Sequence, residues 1–245
     1  MAKWRWQAVD GQRHDRLWRL VAERSATRTE ASGWVGVVCA VAVEQLEVDA
    51  AAVTVRTNAP SQDLIATSGT WAESLEELQY TVGEGPGVAA FETGEPVLTG
   101  DLGAVADRWP GFAEEIATSG VGAVFAFPLQ AGAIRLGTLT LYRRRPGALT
   151  ASDLADAAIL AEMTTTALVA DSRGTDGAAS WTKEEVPGFY DEVNIATGML
   201  AAQLQISLPD ALLRLRAHAF SQHLPLTEVA QAVLNRQLRF DSPAE

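Results

Sequence analysis

Residues 121–142, VGAVFAFPLQAGAIRLGTLTLY, decide the fold of the first part of the chain. Two apolar runs, 121–129 and 134–142, are typical of β-strands, and the short QAGA segment between them suits a hairpin turn. Alternation gives the first strand two faces, one with Val124, Ala126 and Pro128 and the other with Phe125, Phe127 and Leu129. The stretch therefore predicts an antiparallel strand pair.

Weaker patterns on both sides of this hairpin complete an α+β plan. Apolar periodicity predicts helices over 12–24, 31–47, 74–80 and 88–91, and strands over 48–56, 64–67 and 97–99. Downstream of the hairpin, Thr150 caps a helix that runs to about Val169. This order predicts an antiparallel sheet with helices on its faces.

The composition is that of a globular protein. Of the 245 residues, 47% are hydrophobic and 20% charged, which is enough apolar material for a core. A net charge of −12 makes the whole chain a poor constitutive binder of nucleic acid, so such binding needs a local patch. With one cysteine, Cys39, and three histidines, we expect no internal disulfide, no metal site and no cofactor.

No targeting or membrane-spanning segment is expected. The N-terminus lacks the apolar core of a signal peptide, and the longest apolar run, residues 33–43, is too short to cross a bilayer. We therefore expect a cytoplasmic protein that does not bind membranes.

Charge marks the domain organisation. Residues 1–28 hold seven basic and three acidic residues, and the tail from 193 to 245 holds four of each, so the acidity is concentrated between them. A polar stretch near 171–180 has no periodicity and is typical of a linker. We predict a first domain over 30–172, a linker over 173–182 and a second domain over 183–245. Residues 1–29 are expected to form a basic amphipathic helix that packs on a partner helix with its arginines in solvent; the alternative is contact with nucleic acid or a membrane.

Four motifs of the first domain resemble the GAF domains of bacterial GAF–ANTAR regulators. They are EELQYTVGEGPG (76–87), GEPV (94–97), RWPGF (108–112) and FAFPL (125–129). The resemblance covers roughly residues 30–172 and implies a module that senses a small molecule, with its pocket on one side of the sheet. The bilin-anchoring cysteine of photosensing relatives has no counterpart here, and the stretch has no histidine for a haem. The glycines of 83–87 match neither the Walker nor the dinucleotide pattern, so we expect a turn there.

Such a pocket would combine aromatic surface with a few polar groups. The aromatic candidates are Trp71, Tyr80, Phe91, Trp109, Phe125 and Phe127, and the polar candidates are Glu84 and Asp101. The alternative for each aromatic residue is a place in the core. The alternative for the domain is a dimerisation scaffold without a ligand.

Three short helices are predicted in the tail. The first begins near Pro187, and the second begins at the Ser207 cap, with Asp210 three residues on. Thr227 caps the third helix, which buries residues as far as Leu238. A unit this small has a thin core, so we expect it to pack on a partner or to form a coiled coil.

The tail is similar to the ANTAR domain over nearly its whole length. The matching segments are VNIATGML (193–200), ALLRLRAHA (211–219) and PLTEVA (225–230), in the family's order. The resemblance implies binding to RNA stem-loops in nascent transcripts, antitermination of transcription and action as a homodimer.

Guanidinium groups can bind the phosphates and stack on the bases of such RNA. The candidates are Arg214, Arg216, His218, Ser221 and Arg236, with Arg239 nearby. Arg214, His218 and Ser221 are expected on one face of the second helix with Arg216 beside it, and Arg216 falls on the family's Leu-Arg motif. The alternative for each arginine is a solvated helix face.

Two other functional classes remain as alternatives. A GAF-linked signalling enzyme needs an ATP-binding glycine motif or a metal cluster, and the tail has neither; we expect no enzymatic activity. A DNA-binding regulator is suggested by the three short helices, but the link over 222–226 lacks the usual glycine.

Overall fold

The computed structural model describes residues 11–27, 33–56, 61–172 and 188–240, and a five-stranded sheet lies at its centre. The strands are β1 (Ala50–Arg56), β2 (Gln62–Thr67), β3 (Val97–Thr99), β4 (Ala123–Ala131) and β5 (Ile134–Arg143). They lie in the order β2-β1-β5-β4-β3, and all neighbours are antiparallel. The predicted α+β fold, an antiparallel sheet flanked by helices and followed by a small helical unit, is confirmed.

The hairpin forms as the sequence predicts. Phe125 pairs with Leu141 and Phe127 with Leu139, and Gly132 in the turn has a φ of 64°, a left-handed conformation that glycine adopts without strain. Because side chains alternate along a strand, the two phenylalanines point to one face, which we call the outer face. The opposite face is called the inner face.

Three helices cover the outer face: α1 (Gly11–Thr27), α2 (Gly33–Gln45) and α6 (Ala151–Ser172). Helix α2 is apolar on all sides because it is buried among α1, α6 and the sheet. Cys39 lies in this layer, fully buried, and burial raises the pKa of its thiol to about 12. Helix α6 starts where the sequence predicts, with the Asp153 N–H donating to Thr150 Oγ1 at 3.1 Å.

Helix α1 packs on α2 and α6, and two of its arginines, although partly exposed, also form ion pairs that the sequence did not predict. Arg13 lies 3.1 Å and Arg16 lies 2.5 Å from the carboxylate of Asp156 on α6. Only 5% of the Asp156 side chain is exposed, and a carboxylate this buried needs cationic partners. The two arginines therefore attach α1 to α6.

The inner face is covered by shorter helices: α3 (Thr70–Val82), α4 (Pro86–Thr93) and α5 (Pro110–Ile116). A 3-10 segment, Gly103–Arg108, precedes α5. The sequence patterns predicted no helix over this segment or over α5. Both elements are short, and the second begins at Pro110, almost directly after the first ends.

The tail forms three helices, α7 (Asp191–Leu204), α8 (Leu208–Gln222) and α9 (Leu226–Leu234), which pack together. Ser207 caps α8 as predicted, since its Oγ accepts from the Asp210 N–H at 3.2 Å. Thr227 does not cap α9: the helix begins one residue earlier, after Pro225, and ends before Leu238. The predicted linker 173–182 and the predicted helix start at Pro187 lie outside the described residues.

The helices of the tail pack against the inner side of the first domain. One continuous apolar cluster runs from the sheet through α3 into α7–α9. The Leu226 N–H donates to Thr81 Oγ1 at 3.3 Å, and the Thr227 N–H and hydroxyl donate to Glu77. His223 Nδ1 lies 3.1 Å from Glu115 Oε1. None of the helices described here has the length and apolarity needed to cross a membrane.

Candidate functional site

The inner face of the sheet is polar although it is buried. Thr54, Thr138 and Thr140 are fully buried, and Thr54 pairs with Thr138 across β1 and β5. Polar groups removed from water require hydrogen-bond partners. The candidate site is defined by the hydrogen bonds that these groups form and by the buried polar atoms that remain unpaired.

A buried hydrogen-bond network around Glu76 of α3 satisfies part of this face. Its carboxylate accepts from Thr54 Oγ1 at 2.9 Å and from the Tyr142 hydroxyl at 2.7 Å. Gln79 Nε2 donates to the same hydroxyl at 2.8 Å, and Gln79 Oε1 accepts from the Gly87 N–H at 2.8 Å. Burial raises the pKa of Tyr142 well above its usual value, and the neighbouring Glu76 raises it further. The network fixes α3 and the start of α4 on the sheet.

A second group lies where the sheet meets the tail; we call Arg56, Gln62, Tyr80, Tyr190 and Arg216 the seam cluster. Arg56 and Gln62 are opposite each other on β1 and β2. The rings of Tyr80 and Tyr190 are 4.5 Å apart between centroids, and the Arg216 guanidinium lies 5.1 Å from the Tyr80 ring centre. The backbone of Tyr190 faces the carboxylate of Asp63 on β2, so the residue before α7 is held against the first domain.

The seam cluster is rich in polar atoms without partners. Among the residues that the structure describes, these buried atoms make no hydrogen bond: Arg56 Nε and Nη2, both side-chain amide atoms of Gln62, the hydroxyl of Tyr190, and Arg216 Nε. Thr138 Oγ1 and Thr140 Oγ1 on the adjoining sheet are in the same state. Within the same residues, the Tyr80 hydroxyl has no side-chain partner and faces the backbone of Gln62. Most buried polar atoms in folded proteins are paired, so this concentration marks the site.

The electrostatics of the cluster are dominated by burial. Burial lowers the pKa of Arg56, which the charge of Glu76 partly offsets, and burial also lowers the pKa of Arg216, which Arg56 lowers further. Burial raises the pKa of Tyr80 and raises that of Tyr190 well above its usual value. Guanidinium groups stay charged at neutral pH, so two cations and two neutral phenols meet here.

The glycine-containing turn at 83–87 has a structural part. Glu84, one of the polar pocket candidates, accepts from the N–H groups of Gly111 and Phe112 at 2.7 and 3.1 Å. It therefore caps the N-terminal end of α5 rather than facing the seam cluster. Asp101, the other polar candidate, is exposed, and its Oδ1 accepts from the Ala104 N–H at 3.4 Å.

The structure does not bring the six aromatic candidates together. Tyr80, Trp71 and Trp109 belong to the inner side, and Phe91 lies 5.7 Å from the Arg56 guanidinium. Phe125 and Phe127 belong to the core of the outer face, because they alternate with Val124 and Ala126. The six residues therefore do not line a single pocket, and only Tyr80 belongs to the seam cluster.

A groove of about 560 Å³ lies on the outer side between β4 and α6. Phe127 forms part of its wall, with Ala158, Ala161 and Thr165. None of the unpaired buried atoms lines this groove, although Gln130, Glu162 and Thr166 add polar groups to its wall. Within the described residues no group of His, Cys, Asp and Glu side chains could hold a metal ion.

The RNA candidates of α8 are divided between two surfaces. Arg214, His218 and Ser221 follow one side of the helix, where His218 contacts the Phe240 ring at 5.4 Å. Arg216 points about 200° away from Arg214 around the helix, at 100° per residue, and is half-buried against α3. The expectation that Arg216 lies beside that face is therefore wrong. The candidates beyond α9, Arg236 and Arg239, are exposed.

Sequence reasoning missed most of the seam cluster. Arg56, Gln62 and Tyr190 carried no motif, and an arginine at a strand end is usually solvated. One signal was present: threonine or tyrosine at every second position of β5 from 138 to 142, which is unusual for a sheet face that a helix covers.

The comparisons with known proteins concern the first domain. A family profile described as GAF domain matches residues 35–169. The GAF domain of a phosphoenolpyruvate-protein phosphotransferase from Coxiella burnetii superposes with a TM-score of 0.52 at 18% identity, over 67% of this chain and 97% of that one. The GAF domain of the Acinetobacter phosphotransferase gives 0.49 at 16% identity, over 69% and 98%. No curated protein matches the chain. At these identities the likeness concerns the fold, and the profile ends before α7.

Proposed function

Because the chain belongs to the GAF domain family, we propose that its first domain senses a small molecule and that α7–α9 carry the output by binding RNA stem-loops in nascent transcripts. Occupying such a stem-loop prevents a terminator from forming, so the protein acts as an antiterminator of transcription. It works in the cytoplasm as a homodimer, which doubles the RNA-binding surface. The proposal includes no catalytic step.

The accessible side of α8 is the observation that carries the RNA part. Arg214, His218 and Ser221 lie on it at spacings of four and three residues, opposite or beside the buried stripe of Leu212 and Leu215. Such a surface offers a guanidinium, an imidazole and a hydroxyl for phosphates and unpaired bases. The similarity of residues 193–230 to the ANTAR domain supports the same assignment.

The contact between α8 and α3 supports control by the first domain. Arg216 is packed on Tyr80, so it can contact RNA only after α8 leaves α3. A signal that changes this contact would change how many basic groups the tail can offer. Release of the tail from the first domain would therefore add Arg216 to the RNA-binding surface.

Binding of the full-length chain to an RNA stem-loop, measured by gel shift against duplex DNA of equal length, tests the proposal. We expect the stem-loop to bind more tightly, with an affinity that falls steeply as salt rises. Arg214→Ala should weaken stem-loop binding by at least about fivefold, as expected for loss of one arginine contact.

Arg145→Ala is the matched control, because Arg145 is an exposed arginine of the first domain. It should leave the affinity unchanged. Equal or tighter binding of the DNA duplex would favour the DNA-binding alternative, and equal losses from Arg214→Ala and Arg145→Ala would refute a specific RNA surface on α8.

A further inference from the structure

In the part of the chain that the structure describes, the two guanidiniums of the seam cluster lack a paired counter-charge, and the Asp63 carboxylate beside Tyr190 does not supply one. Within the described residues neither Arg56 nor Arg216 forms an ion pair. The charges of Glu76 and Glu92 act on Arg56, but the oxygens of Glu76 accept hydrogen bonds from Thr54 and Tyr142 instead. Cations removed from water are strongly disfavoured without a counter-charge.

The neutral members of the cluster are also suited to an anion. Gln62 is 3% exposed, Tyr80 1% and Tyr190 0%, and none of the three side chains has a side-chain hydrogen-bond partner among the described residues. A phenol or an amide N–H₂ donates to an oxyanion, and a guanidinium binds a carboxylate or phosphate through two parallel bonds. Five side chains with unused hydrogen-bonding capacity therefore meet in one place.

We propose that the seam cluster binds the oxyanion group, carboxylate or phosphate, of a small ligand, with Arg56 and Arg216 supplying the positive charge and Gln62, Tyr80 and Tyr190 supplying further donors. The proposal rests on the sensor part of the proposed function and is independent of RNA binding. It adds the ligand's chemical class, and it makes α8 and the residue before α7 part of the sensor's own site.

The five residues come from two parts of the chain, so a ligand bound to them affects how those parts pack. Arg56, Gln62 and Tyr80 come from the first domain, whereas Tyr190 and Arg216 come from the tail. A ligand that touches both parts binds the docked arrangement better than any arrangement in which the tail has left. The anion therefore holds the tail against the sensor.

Thermal unfolding and calorimetric titration of the full-length chain test the site, with inorganic phosphate and acetate as separate probes. Chloride keeps the ionic strength constant. We expect one of the two anions to raise the midpoint of unfolding with saturation, and the choice between them distinguishes a phosphorylated ligand from a carboxylate. Arg56→Met and Arg216→Met should each weaken this binding at least about tenfold, because each removes a charged hydrogen-bond donor.

Arg145→Met is the matched control, since it removes an exposed arginine of the first domain, and it should bind the anion as the unchanged protein does. Saturable binding by neither anion, or equal binding by all three variants, overturns the proposal. Arg216→Met changes a half-buried surface residue, so it provides the test if Arg56→Met does not fold. The outcome is separable from the RNA experiment: anion binding without stem-loop binding retains the site and refutes the RNA output.

Discussion

The two faces of the sheet are built from the same strands and differ in kind. On the outer face, Phe125, Leu139 and Leu141 are buried among apolar helices. On the inner face, Thr140 and Tyr142 alternate with those leucines and are equally buried. Burial therefore has two uses in this molecule: one face is optimised for packing, and the other keeps polar groups out of water at a cost in stability.

The largest effect is expected on the outer face. Phe125→Ala should lower the free energy of unfolding by about 3–5 kcal/mol, because the lost apolar contacts leave a cavity in a packed core. Urea denaturation followed by circular dichroism measures the change.

Leu98→Ala is the control for this substitution. Leu98 pairs with Phe125 in the neighbouring strand but is 47% exposed, so its loss should amount to about 1 kcal/mol or less. Similar losses at the two positions would contradict the view that the outer face is a closed core.

An intermediate effect is expected from pH on the inner side. The chain has three tyrosines, Tyr80, Tyr142 and Tyr190, and burial raises the pKa of all three in the folded protein. The folded state therefore keeps phenolic protons that the unfolded state loses above about pH 10. The resulting stability is complete below that pH. As the pH rises from there to the folded-state pKa, it falls by up to about 1.4 kcal/mol per pH unit for each tyrosine.

Absorbance at 295 nm measures tyrosinate directly. The folded protein should show clearly less tyrosinate than a tyrosine peptide at the pH where the peptide is half ionised, and most of it should appear together with the loss of circular dichroism. A tyrosine that titrates normally in the folded protein would show that the inner side is open to water.

The smallest effect on stability is expected at Arg56, the buried charge of the inner face. Arg56→Met removes a largely buried charge that has no ion-pair partner among the described residues, and it keeps a long apolar side chain. The free energy of unfolding should therefore fall by no more than about 1 kcal/mol, or should rise. Urea denaturation without added anions measures this. A loss of several kcal/mol would mean that Arg56 is a structural residue with a strong partner.

The outer face could be predicted from the sequence and the seam cluster could not. Strand alternation assigned Phe125 and Phe127 to one face and Val124 to the other, because a two-residue period is a local property. The same local pattern could not separate pocket from core among the six aromatic candidates. That distinction depends on which helices cover each face.

The seam cluster depends on contacts between residues far apart in the chain. Tyr80 meets Tyr190 across 110 positions, and Arg216 reaches α3 only because the tail folds back onto the first domain. On α8, helical periodicity correctly grouped Arg214 with His218, but it could not show that the opposite side of the helix would be covered by a tyrosine. The Leu-Arg motif therefore pointed to a residue that matters for docking in this arrangement.

The ion pairs between α1 and Asp156 limit where the chain can be truncated. The family profile begins at residue 35, so a fragment trimmed to that boundary would lack α1 and leave Asp156 inside the outer layer without Arg13 and Arg16. It would also expose the apolar residues of the outer face against which Leu17 packs. Such a fragment would be prone to aggregate, and shortened versions of the sensor should keep residues from Gly11 onward.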